Sequence, residues 1–438
     1  MPTRVVAVWE AIVSSYWFVP SLMALGAILL SFVTSTIDQQ YSDAWADAQW
    51  FSVNTADGAR ALLSTIAGAM ITVAGVTFSI TIAALAYVTS QLGPHLLRNF
   101  MRDVSNQITL GTFISTYIYC LLILRTVEGE GGGYFVPHLG IVFAIGLTLA
   151  SVSVLIYFFH HVPKSIQASQ VIAQIGGELQ RRIKNIDKRN DNVLETDEKE
   201  FADNLERNLK VFSHGSGYVN FIDTDQLVKL ASINDLLLKI ECHPGDFVHS
   251  QKTLATGRGE ATEAILNKIA DAFTLGRERT HTQDILFNVQ QLVQIAARAL
   301  SPGVNDPFTA NDCLDWLSAG LVLLGYQPTS SKIMHAHDNS PRVIGQSIGF
   351  ERMAAAIFDP LRPYVCQDKN AALHMLNVLE DLNKTFANTE CRQILLEHAI
   401  KLKDAVEENG KIDFNGHLEE TFQNIVNNMN AENAHRGN

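Results

Sequence analysis

Cysteine is scarce in this 438-residue chain, and what there is does not cluster: Cys120, Cys242, Cys313, Cys366 and Cys391 stand far apart, with no C-x-x-C pair. Such spacing indicates neither a disulfide framework nor a zinc knuckle. A lysine- and arginine-rich run with interleaved aromatics is also missing, and the formal net charge is -12, so nucleic acid is not an expected partner. No phosphate-binding glycine loop, dinucleotide fingerprint or nucleophile elbow occurs. The expectation is therefore a protein that is not an enzyme and carries no cofactor. Charged residues make up only 18% of the chain against 47% hydrophobic, and the two are segregated, with the apolar residues concentrated before His161 and the charges after it. That asymmetry points to a membrane-embedded module followed by a water-soluble one.

A helix crossing the hydrocarbon core needs about 20 mostly apolar residues. Four stretches qualify: Tyr16 to Thr36, Ala61 to Ser90, Ile108 to Val127 and Leu139 to His161. The first lacks a basic leader beyond Arg4 and a small-residue cleavage site, so it reads as an uncleaved anchor. The second would be about 45 Å long as a helix, more than a core of about 30 Å, so it must tilt or protrude. Gly129 to Gly133 form a short loop between the last two. Arg98 and Arg102 follow the second stretch, and Lys164, Arg181, Arg182 and Lys184 follow the fourth. The other two connections carry mainly acids: Asp38, Asp43, Asp47, Asp57, Glu128 and Glu130. This bias places both termini in the cytoplasm, with Arg60 and Arg125 as dissenters able to reach headgroups.

Projected at 100° per residue, Ser64, Gly68, Thr72, Gly75, Ser79, Ala83, Ala86 and Ser90 share one arc of the second stretch. The face is entirely small or hydroxylic, whereas Ile66, Met70, Val73, Ile80 and Val88 give the opposite side a lipid-like character, Thr77 excepted. Two readings stay open: a seam of close helix packing, or a wall of a wet pathway for a small ion or solute. Thr112, Ser115, Thr116 and Tyr119 form a second hydroxyl face that could meet the first. No acidic or basic residue lies at the centre of any span, which argues against a proton relay or pump.

Beyond Pro163 the reading is an α+β cytoplasmic domain. Residues 163–212 make an amphipathic connector and a charged linker, the latter over Asn185 to Glu200, with helix resuming near Phe201. Residues 213–256 make a small β-rich subdomain, in which Pro244-Gly245 is the turn and DQLVKLASIN a short interrupting helix. The run A-x-x-x-D-L-L-L-x-I-x-x-x-P-G-D-F-V resembles a barrel-sandwich hairpin, but Lys252 is misplaced for a lipoylated carrier. Residues 257–438 are mainly helical, with a polar tail after Asn428. There Asp284 suits an N-cap of a helix reaching about Leu300, S-P-G breaks it, and Asp306-Pro307 starts the next. A helix-turn-helix corner explains this motif, with a ligand or ion site at Asn305 and Asp306 as the alternative. His335 with His337, and His160 with His161, read as loop histidines rather than metal ligands, since no further donors stand nearby.

Several of these segments together resemble a bacterial membrane-protein family catalogued as domain of unknown function 2254. They are YWFVPSLM (16 to 23), TVAGVTFSITIAALAYVTSQLGPHLLRNFMRD (72 to 103), NQITLGTF (106 to 113), GYVNFID and ARALSPGVNDPFTA (297 to 310). The resemblance spans about residues 10 to 330 and fades from Tyr326 on. It implies four transmembrane helices and a bacterial inner-membrane setting, but no catalytic residues and no substrate. A four-helix protomer has little room for a private pathway, so the expected function is a channel-like homo-oligomer with a cytoplasmic gating or assembly domain. The alternative is a membrane-tethered sensor or scaffold without transport.

Overall fold

The computed structural model describes residues 17–40, 55–93, 103–127, 135–188, 208–280, 282–327, 332–336, 340–345 and 348–436. Of the linker expected over Asn185 to Glu200, residues 185–188 belong to a helix and the rest lies outside these, as do His337, Arg98, Arg102 and the glycine loop at 129–133. The chain divides into two compact units, Met1–Gln170 and Val171–Asn438.

In the first unit, α1 (Phe18–Gln40), α2 (Ala56–Leu92), α3 (Val104–Thr126) and α4 (His138–Ser165) are each long and apolar enough to cross a membrane. At 37 residues α2 would be about 55 Å long, longer still than the expected stretch. Its start is fixed by Thr55, whose hydroxyl accepts the Gly58 N–H at 3.2 Å, and its end by Gly93 at φ 112°. Helix α3 starts on Asp103, which accepts the Ser105 N–H. It is the central helix, packed against the other three. Gly111 makes that possible on one side, because a Cβ there would lie 3.2 Å from the Pro20 backbone and 2.6 Å from Met23 Sδ.

Helix α4 has no cap of its own. Asp38 of α1, 2% exposed, supplies it: its two carboxylate oxygens accept the Leu139 and Gly140 N–H groups at 2.9 and 2.8 Å. Asp38 is thus a buried interhelical cap, where the sequence suggested a solvated acid between spans. Beside it the Tyr119 hydroxyl lies 3.0 Å from that of Thr34 and donates to the Gly140 carbonyl. Removing the carboxylate leaves two N–H groups without their acceptor at a buried site. Asp38→Ala is therefore expected to destabilise the helical unit by about 2–4 kcal/mol, and Asp38→Asn by less, since one acceptor oxygen survives. Thermal unfolding in detergent reads this directly; equal midpoints for all three proteins would refute it.

The second unit opens with α5 (Ala168–Lys188), whose Ile172, Ile175, Leu179 and Ile183 form one fully buried stripe. The strands follow: β1 (Leu209–Phe212), β2 (Gly217–Ile222), β3 (Leu237–Ile240), β4 (Phe247–Val248), β5 (Thr253–Arg258), β6 (Phe273–Gly276), β7 (Lys332–His335) and β8 (Pro341–Gly345). They form a five-stranded sheet in the order β1-β5-β3-β8-β7 and a three-stranded sheet in the order β4-β2-β6. One core joins the two, with Val211, Val219, Leu227, Leu238, Val248 and Val343 at its centre. Pairing is antiparallel except between β3 and β8, where Leu238 stands beside Val343. The β-rich part therefore exceeds residues 213–256: β1, β6 and the β7–β8 hairpin belong to it. Helices α6 (Thr224–Ile233) and α7 (Glu263–Ala270) cover this core.

The remainder is helical: α8 (Leu286–Ala299), α9 (Pro307–Gly325), α10 (Phe350–Val365), α11 (Lys369–Thr385), α12 (Thr389–Asn409) and α13 (His417–Arg436). Helix α8 is capped by Asp284, which accepts the Phe287 N–H at 3.1 Å. The turn at Gly245, φ 93°, ties the sheets to this helical part. Its N–H donates to the Val219 carbonyl at 2.7 Å, and Asp246 accepts the His243 N–H at 2.9 Å. Arg352 of α10 donates to Asp246 at 2.9 Å. Burial alone would raise the Asp246 carboxyl, but the donors of His243 and Arg352 hold it down to about 2.

Candidate functional site

The small face of α2 is the feature that the sequence singled out most clearly. Ser64, Gly68, Thr72, Gly75, Ser79 and Ala83 are all exposed in the single chain, as are Ala86 and Ser90. A Cβ added at Gly68 or Gly75 would meet nothing among the described residues within 4 Å. The helix is turned the other way from the expectation: Ile66, Met70 and Val88, together with Ala74, Thr77 and Thr81, are the buried side. Packing explains the reversal. Leu63, Ile66 and Met70 of α2, interleaved with Ala59, Ala67 and Ala74, form one core with Leu110, Phe113 and Tyr119 of α3, large and small side chains together filling the space between the two helices.

The second hydroxyl face does not meet the first. Thr112, Ser115, Thr116 and Tyr119 are buried, and their interhelical partners lie on α1 and α4: Thr34 for Tyr119 and Ser151, 3.0 Å away, for Thr116. What remains on α2 is a shallow furrow. By helical projection Ile71, Phe78 and Ile82 stand along one flank and Val76 and Tyr87 along the other, all exposed. Within it the Thr72 hydroxyl donates to the Gly68 carbonyl at 2.8 Å and that of Ser79 to the Gly75 carbonyl at 2.9 Å. Both protons are spent on the helix, so the furrow presents oxygen lone pairs and no fixed charge.

The second candidate is the corner between α8 and α9. Asn305 is exposed at φ 51°, and Asp306 accepts both the Thr309 N–H at 3.2 Å and the Thr309 hydroxyl at 2.6 Å. Both carboxylate oxygens are thereby engaged in starting α9. All five cysteines are unpaired and buried. Among the described residues no three His, Cys, Asp or Glu side chains gather as a metal-holding group. His161 is not a loop residue: it sits in α4, with Nε2 2.8 Å from the same Asp103 that caps α3. Sequence reasoning missed both Asp38 and Asp103 as interhelical partners, since each bonds a residue far along the chain.

A family described as "Predicted membrane protein (DUF2254)" matches residues 13–381. Uncharacterized proteins of Mycobacterium bovis and Mycobacterium tuberculosis are each 32% identical over 275 residues, covering 60% of this chain and 52% of theirs. The chain thus spans about half the length of the curated relatives it matches. No solved structure matches it.

Proposed function

Since this chain belongs to the family of predicted membrane proteins catalogued as domain of unknown function 2254, we propose that it is a channel-like homo-oligomer of the bacterial inner membrane. The furrow of α2 lines or flanks a pathway for a small ion or solute, and the second unit, on the cytoplasmic side, gates or assembles it. One observation carries this: a hydroxyl- and glycine-lined furrow is exposed in the single chain, with none of the described residues against Gly68 or Gly75. Against acyl chains such a furrow gains nothing from its oxygens, whereas copies arranged about an axis turn it into a shared wall. Outward lone pairs without a fixed charge suit a partly hydrated cation in passive transit.

The competing reading is a membrane-tethered sensor or scaffold, in which the furrow is a dry seam between copies. Flux into liposomes holding the purified chain tests the proposal, with Ser79→Cys as the probe. Addition of a membrane-impermeant thiol reagent is expected to slow flux through the Ser79→Cys protein several-fold and to leave the native protein unaffected, its own thiols being buried. Absence of flux from the native chain at every voltage, salt and tension applied would remove the channel and leave the scaffold.

A further inference from the structure

Asp103, His161, Tyr157 and Ser105 form one hydrogen-bonded row where α3 begins and α4 ends. His161 Nε2 lies 2.8 Å from Asp103 Oδ2, Tyr157 Oη lies 3.3 Å from His161 Nδ1, and Ser105 Oγ lies 3.2 Å from Tyr157 Oη. The phenol and the imidazole are stacked, their centroids 5.2 Å apart. A carboxylate only accepts, so Nε2 carries a proton and, in the neutral ring, Nδ1 accepts the proton of Tyr157. Tyr157 then has none left for Ser105, and the serine is the donor of that last bond. Every proton in the row points toward Asp103, whose other oxygen already accepts the Ser105 N–H at 2.9 Å.

Ser105 and Tyr157 also line one end of a cavity of about 340 Å³ between the two helices, whose other walls among the described residues are Ile108, Thr109, Ser153 and Val154. The remaining hydroxyls are spent in the same way: Thr109 donates to the Ser105 carbonyl at 2.8 Å and Ser153 to the Leu149 carbonyl at 3.0 Å. Side-chain oxygens therefore border the cavity with lone pairs and without a free proton. Ile108, Ser153 and Tyr157 are exposed in the single chain, so the cavity opens to what surrounds the spans. It also has a direction. Along α3 from Ser105 to Thr109, and along α4 from Tyr157 back to Ser153, it runs about 6 Å from the ends of both helices toward their middles. The hydrogen-bonded row lies at the membrane boundary and Val154 and Ile108 lie further in, the order in which a membrane lipid carries its head and its chain.

We propose that this cavity binds phosphatidylethanolamine, with one acyl chain along Ile108 and Val154 and the ammonium on Ser105 and Tyr157. An ammonium brings three donors and no acceptor, which matches a wall of acceptors. A phosphate there would meet lone pairs, and the trimethylammonium of phosphatidylcholine has no N–H to give. The charge agrees as well, since with a neutral imidazole the row keeps the one negative charge of Asp103. Lys164, exposed and two turns beyond Tyr157 on the same face of α4, is placed for the lipid phosphate. The site rests on α3 and α4 being spans, and it is independent of the pathway proposed along α2.

The experiment is native mass spectrometry of the full chain, delipidated in detergent and then given phosphatidylethanolamine or phosphatidylcholine with identical acyl chains. The phosphatidylethanolamine adduct is expected to be at least fivefold the more abundant. Ser105→Ala combined with Tyr157→Phe removes the acceptors but keeps the stacked ring, and should bring the two lipids level. Ser153→Phe, at the exposed rim and outside the row, should fill the cavity and remove the preferred adduct. The native protein alone can overturn the proposal, whatever becomes of the variants: adducts of equal abundance, or none of either lipid, would do so. A preference for phosphatidylethanolamine that survives in the double variant or in Ser153→Phe would overturn it too, by placing the lipid elsewhere.

Discussion

Replacing Gly75 by leucine is expected to reduce flux at least tenfold while leaving both the oligomer and the thermal stability of the protomer intact. The single chain explains why the substitution is clean. Among the described residues nothing lies within 4 Å of a Cβ at this position, so none of their side chains has to move. Glycine to leucine in a helix interior is itself favourable by about 0.5–1 kcal/mol in helix propensity. Any loss must therefore arise outside the protomer, from what faces the furrow. A leucine projecting into a narrow pathway displaces the water and the oxygens that carry a permeant species. In a close-packed seam it would instead force the helices apart, and the oligomer would dissociate with no flux to lose. Flux in liposomes, read beside the oligomer mass in detergent, separates the two. Dissociation on its own would transfer the furrow to the scaffold reading.

The largest loss of stability is expected at the turn joining the sheets to the helical part of the second unit. Gly245 has φ 93°, and a Cβ there would collide with Asp284 Oδ2 and come within 2.7 Å of Arg279 Nη2. Asp284 is 1% exposed, is held by Arg279 and caps α8. Gly245→Ala must both strain the backbone and push a buried, ion-paired carboxylate off its partners. Strain alone costs about 1–3 kcal/mol and disruption of a buried pair about 3–5; with partial relaxation the sum should be near 4 kcal/mol. Thermal unfolding followed by tryptophan fluorescence provides the measure, Trp316 being inside this unit. Because the two residues share one space, Gly245→Ala with Asp284→Ala should cost less than the two singles added. Strict additivity would show that the collision is relieved elsewhere.

Much of this was open to reading before any coordinates. Four spans follow from length and hydropathy, the Pro244-Gly245 turn from its dipeptide, and the start of α9 from Asp306-Pro307. Each of those signals is local. The orientation of α2 was not legible, since in lipid neither face is forbidden by polarity; packing against α3 decides, where Leu63, Ile66 and Met70 interleave with alanines such as Ala67 and Ala74. Asp38 looked like a loop acid because the amides it accepts, those of Leu139 and Gly140, lie a hundred residues away. The same holds for β8, a five-residue strand whose parallel partner β3 comes much earlier in the chain. The family match to residue 381 continues beyond the point where the resemblance fades, so the segment holding this hairpin belongs to the shared architecture.

That late strand has a consequence in time. Strand β3 ends at Ile240 and its neighbour β8 begins at Pro341, so a ribosome emits about a hundred residues between them, some 5–20 s at ordinary rates of synthesis. Throughout that interval the growing chain holds β3 with one edge unpaired, carrying Leu238 and Ile240, and such an edge attracts other strands. Biogenesis of this protein thus contains a built-in vulnerable interval, and a message cut anywhere before the codon for Pro341 would make it permanent.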